Sequence, residues 1–167
     1  RELGIDDGHA TATVDTEAEA ASNVAITQKP RLLLVIDQTG WAFSNIADQI
    51  SRNLSGKYEV EITASHELDH FGQVMLLGKQ ADLVHFFWRP QLMHLFDPSL
   101  AGYANAIGMP NDHDLRWDLL QKKITTAIYD HLFLDDESVS RYRTVLGKLV
   151  DGYYTSSNKL DQIYRKT

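Results

Sequence analysis

The period of apolar positions changes repeatedly along the chain. RLLLVID (31–37) is an unbroken apolar run between Pro30 and Gly40. A run without alternation marks a strand buried on both faces, as in a parallel sheet. After QTGWAFSN, the residues Phe43, Ile46, Ala47, Ile50 and Leu54 recur at spacings of three and four, which predicts an amphipathic helix ending near Gly56. YEVEITA (58–64) alternates and predicts a second strand. HFGQVMLLGKQ (70–80) has the helical period around Phe71, Val74, Met75 and Leu77, and ADLVHFFW (81–88) predicts a third strand with Phe86 and Phe87 in the core. Pro90 opens a helical region expected to run to about Ile107, whereas PNDHDLRWDLLQKK is polar and shows no clear period. ITTAIYD (124–130) is β-branched and predicts a fourth strand. SVSRYRTVLGKLV (138–150) predicts a helix with Tyr142, Val145, Leu146 and Leu149 on one side. DGYYTSS (151–157) predicts a fifth strand, and NKLDQIYRK a last helix capped by Ser156 or Ser157.

Strand and helix alternate about every 25–30 residues, which is the α/β signature. The expected fold is a Rossmann-like open parallel sheet with helices on both faces. Ligands of such sheets bind beyond the carboxyl ends of the strands. The loops there are QTGWAFSN, the HELDH region, WRP, DHLFLDDE and TSSN. Residues 1–29 stand apart: six acids against Arg1 and Lys29 give a net of −4, without aromatics or an amphipathic stripe. They are expected to form an acidic flexible tail or linker ahead of a domain at 30–167.

Composition narrows the function classes. The chain has 167 residues with a formal net charge of −7, against the basic stripe that a nucleic-acid binder needs. It has no cysteine, which excludes disulfides and thiolate metal sites and fits a reducing, cytoplasmic compartment. No apolar run approaches the roughly 20 residues that span a bilayer, so only a peripheral membrane association is to be considered.

Residues 66–70, HELDH, match the zinc-protease pattern His-Glu-x-x-His. Zinc hydrolysis would need both histidines on one helix face, yet the segment directly follows a strand, where a loop is expected. Asp69 adds an acid within the motif, and no third ligand stands at a familiar spacing. The expected reading is a polar loop at the ligand edge. Gly40 permits close backbone approach to a ligand or simply a strand-to-helix turn. Trp41 either stacks on a sugar ring or packs against the fold. Trp88 and Arg89 fall at the same edge, where Arg89 holds an anionic group or makes a surface ion pair. Asp130 and His131 end the fourth strand as a base pair for catalysis or as a cap and a loop residue. His85, inside the third strand, is expected to be a core histidine.

These segments resemble the N-terminal domain of GT-B glycosyltransferases, of the glycosyltransferase family 4-like group. That family has a strand ending in His-Asp, a helix, and then a strand of the form Ala-Asp-x-apolar-apolar-x-x-Ser. Asp151-Gly152-Tyr153-Tyr154-Thr155-Ser156-Ser157 matches the second pattern with Ser157 at its serine, and Asp130 matches the aspartate of the first. Tyr129 stands where the family has histidine, and His131 falls one position late. KPRLLLVID followed by a glycine loop and ADLVHFFW also fit, although Trp41 replaces a second glycine. The resemblance spans about residues 30–167 and implies one half of a two-domain enzyme, incomplete here. It implies a sugar acceptor bound by Gly40, Trp41, Trp88, Arg89, Asp130, His131 and Ser157. It places the nucleotide-sugar donor on a missing C-terminal domain, so no cofactor or metal is expected in this chain and the fragment alone should not catalyse transfer. A non-catalytic α/β binding or regulatory module is the rival reading. A receiver-like form fits it poorly, because Asp37 is single and the third strand ends in Trp88-Arg89.

Overall fold

The computed structural model describes residues 28–129, 144 and 146–165. Five strands pair in parallel: β1 (Arg31–Ile36), β2 (Glu59–Ala64), β3 (Leu83–Phe86), β4 (Lys123–Ile128) and β5 (Gly152–Thr155), in the order β2-β1-β3-β4-β5. The helices are α1 (Ala42–Leu54), α2 (Gly72–Lys79), α3 (Ser99–Ala106), α4 (Asp112–Leu120) and α5 (Asn158–Arg165), and residues 146–149 are also helical.

The unbroken apolar run of β1 has the predicted cause. Leu33 and Val35 join a core with Val74, Met75, Leu115 and Leu119 of α2 and α4. Leu32, Leu34 and Ile36 point to the opposite face, where Ala47 and the partly buried Phe43, Ile46, Ile50 and Leu54 of α1 cover them. Burying each of these leucines stabilises the fold by roughly 1.5–3 kcal/mol. Beyond α1, that second face holds an apolar groove of about 320 Å³, lined among others by Leu34, Leu54, Leu83, His85 and Tyr154.

Some segments differ from their sequence patterns. The region opened by Pro90 is two elements, a 3-10 stretch (Arg89–Phe96) and α3, separated at Asp97-Pro98. Proline disfavours helical backbone in the residue before it, and Asp97 is accordingly extended (φ −64°, ψ 126°). The polar stretch without a clear period forms α4, whose start is capped: Asp114 N–H donates to the Asn111 side chain at 3.2 Å. Only Leu115 and Leu119 of α4 are buried, which leaves too narrow an apolar stripe to recognise. The last helix is capped by Ser157, whose Oγ accepts from Leu160 N–H at 3.3 Å. Among the described residues no helix is long and apolar enough to cross a membrane. The acidic segment lies outside the described residues up to position 27, as do Asp130, His131 and the start of the 138–150 helix.

Candidate functional site

The chain leaves β1 for β2 on one side and returns to place β3 on the other. The loops after β1 and β3 therefore diverge, and a crevice opens between them at the carboxyl ends. Here it is a cleft of about 420 Å³, lined by Asp37, Gln38, Trp41, Phe43, His66 and Trp88 among others.

Three local features build it. Gly40 has φ +76°, a conformation that side chains with a Cβ disfavour, and it turns the chain from β1 into α1. Trp41 follows directly and is 62% exposed. The turn after β2 is then fastened to this loop. Glu67 Oε1 accepts both the Thr39 N–H at 2.7 Å and the Thr39 hydroxyl at 2.6 Å, and His66 N–H donates to the Asp37 carbonyl at 2.9 Å. The hydrogen bonds from Thr39 hold the Glu67 pKa below the usual carboxylate value. His66 thereby faces Trp88 edge-on, with ring centroids 6.3 Å apart. Gln91, 1% exposed, braces the same corner from inside by donating to the Ile36 carbonyl at 3.0 Å and to Ser65 Oγ at 2.7 Å.

HELDH is thus divided between two neighbourhoods. Ser65–Glu67 form a 3-10 turn, and His70 precedes α2. His70 Nδ1 accepts the Gly72 N–H at 2.9 Å, so the proton of the neutral ring lies on Nε2, 3.0 Å from Ser99 Oγ. Its ring stacks on Tyr103 at 4.5 Å. Asp97 accepts the Ser99 N–H at 2.8 Å, and these bonds from Ser99 hold its pKa below the usual value. With both His70 nitrogens engaged and Glu67 turned to Thr39, the pentapeptide does not present a zinc-protease face. Among the described residues no three His, Asp or Glu side chains converge as a metal site requires.

Of the residues predicted for the site, Trp41 and Trp88 line the cleft and Gly40 shapes its loop. Arg89 is neither on the surface nor in the lining: it is 1% exposed. Ser157 sits farther along the sheet edge, beyond β5, in its capping role. Asp130 and His131 lie outside the described residues. Sequence reasoning set the loops of Gln38 and His66 at the ligand edge but did not name them, or Asp37, among the site residues. Their signal was positional, since each lies within two residues of the carboxyl end of a strand that points at the crevice. His85 is core as expected, 7% exposed, with Nδ1 2.8 Å from Thr125 Oγ1, and burial lowers its pKa to about 4. Neither a scan against protein-family models nor a search of curated proteins finds a match for the chain.

Proposed function

We propose that this chain is the acceptor-side domain of a two-domain glycosyltransferase, which in its intact form moves a sugar from an activated nucleotide sugar to a glycan or other acceptor. The observation that carries this reading is one cleft at the β1–β3 crevice lined by two tryptophans together with Asp37, Gln38 and His66. A pyranose has an apolar face of C–H groups and a rim of hydroxyls. Indole rings cover the first, and carboxylate, amide and imidazole groups bond the second. Asp37 and His66 are the lining groups able to take a proton from an acceptor hydroxyl. Gly40 allows the loop to approach, and Ser157 lies farther along the same sheet edge, beyond β5.

The donor belongs to a second domain on this reading. Its diphosphate needs cationic partners, and the described lining of this cleft contains no lysine or arginine. Transfer requires both substrates held across a cleft, so this wall alone binds without catalysing. The test is a titration of the chain with oligosaccharides, followed through the indole resonances of its three tryptophans. Trp41 and Trp88 should shift with dissociation constants around the millimolar range, and Trp88→Ala should weaken binding about tenfold. Calorimetry with nucleotide sugars should show no tight binding. Submicromolar affinity for them would overturn the division of roles.

A further inference from the structure

We infer that the sugar recognised in this cleft is uncharged or carries an amine, and that the site discriminates against uronic acids and sugar phosphates. The inference rests on the sugar-binding reading above and names the class of sugar.

Charge and hydrogen-bond polarity in the cleft favour a donor and disfavour an anion. Asp37 is the one acidic residue of the described lining, and no lysine or arginine accompanies it there. A second carboxylate, Glu67, is bonded to Thr39 within the same loop and neighbours His66 in sequence. The amino end of α1 also meets the cleft and contributes a partial positive charge of about one half. The carboxylates of Asp37 and Glu67 oppose it. Asp37 lines the cleft, and a carboxylate oxygen only accepts, so a sugar group bonded to it must donate. Sugar hydroxyls and an ammonium group donate; a carboxylate or phosphate does not, and would add repulsion. The indole faces of Trp41 and Trp88 attract a cation and disfavour an anion. The carboxylates and the indole faces share one sign, and the amino end of α1 opposes them.

Methyl glycosides of neutral sugars, of 2-amino-2-deoxy sugars and of uronic acids, in gluco, manno and galacto forms, provide the probes, with glucose 6-phosphate as a further anion. Binding is followed by the Trp41 and Trp88 indole resonances at about pH 7, where an ordinary amine is mostly protonated. Trp117, on α4 and 54% exposed, reports non-specific effects. In at least one stereochemical series the amino sugar should bind about five- to tenfold more tightly than the neutral one, with the uronic acid weaker than both. That advantage should shrink in about 0.5 M salt, where charges are screened within a few ångströms. It should also largely vanish in Asp37→Asn, and the salt series on the unaltered chain tests the same point if that variant folds poorly. Uronic acid or sugar phosphate binding as tightly as the neutral sugar would overturn this inference while leaving sugar binding intact. Silence of Trp41 and Trp88 toward every probe would overturn both.

Discussion

His66 and His70 stand four residues apart, the spacing of a helical metal pair, yet they serve different partners. One faces Trp88 in the cleft and the other holds the start of α2 through the Gly72 N–H. Gly72 explains why that start is so close-packed. A Cβ there would lie 2.2 Å from the Tyr103 ring that stacks on His70. Gly72→Ala should therefore push the stack apart and cost about 1–3 kcal/mol in urea unfolding. His85 makes a pH prediction. Its folded-state pKa of about 4 lies below the ordinary 6.5, so the folded protein binds fewer protons than the unfolded chain between these values. Stability contributed by the neutral ring is present above about pH 6.5 and is lost as pH falls toward 4, up to roughly 3 kcal/mol in all. His85→Asn can keep the bond to Thr125 and cannot titrate, so its unfolding free energy should fall less steeply over that window. An equal slope would show that other groups dominate.

At the scale of elements, the strands and the helices α1, α2 and α5 declared themselves, and α4 did not. β1 is apolar at every interior position because helices cover both faces, and that pattern is legible without a structure. α4 buries two residues and is held by its cap and by neighbours, so little of its cause lies in its own period. The resemblance that singled out Asp151 and Ser157 found residues with structural duties. Asp151 accepts from Lys123 Nζ at 2.8 Å and from Ile124 N–H at 2.9 Å, joining the starts of β4 and β5. These bonds hold its pKa below the usual carboxylate value, so this contribution fades as pH falls through that lowered value. Ser157 caps α5, and Ser157→Ala should cost about 1 kcal/mol by denaturant titration. Tyr129 and Tyr154 share a hydroxyl-to-hydroxyl hydrogen bond that links the ends of β4 and β5.

Across the whole molecule, the alternation of strands and helices predicted a parallel α/β sheet, and the sheet has that form. The crevice followed from chain order, which a linear pattern does not reveal. Trp41 and Trp88 were recognisable because one stands in the loop after the first strand pattern and the other ends the third. Glu67 and Thr39 were not, because their bond joins loops 28 residues apart. Arg89 misled because its charge suggested surface while packing drew it inside. Cutting the bond between the loops tests how much of the cleft depends on that join. Glu67→Ala should loosen the β1–α1 loop, speed hydrogen exchange at Thr39 and weaken sugar binding several-fold while leaving the melting of the sheet nearly unchanged.

The central strand has a further consequence. Leu32–Ile36 is a stretch of five apolar residues without charge, sheltered between β2 and β3. Once released by heat, the same stretch is suited to pair with its copies in other chains. Pro30, Arg31 and Asp37 punctuate its two ends, as gatekeepers do, but none interrupts it. Heating should therefore end in aggregation, and the useful lifetime of the protein is a rate: the apparent melting temperature should climb with scan speed, and recovery on cooling should fall as concentration rises.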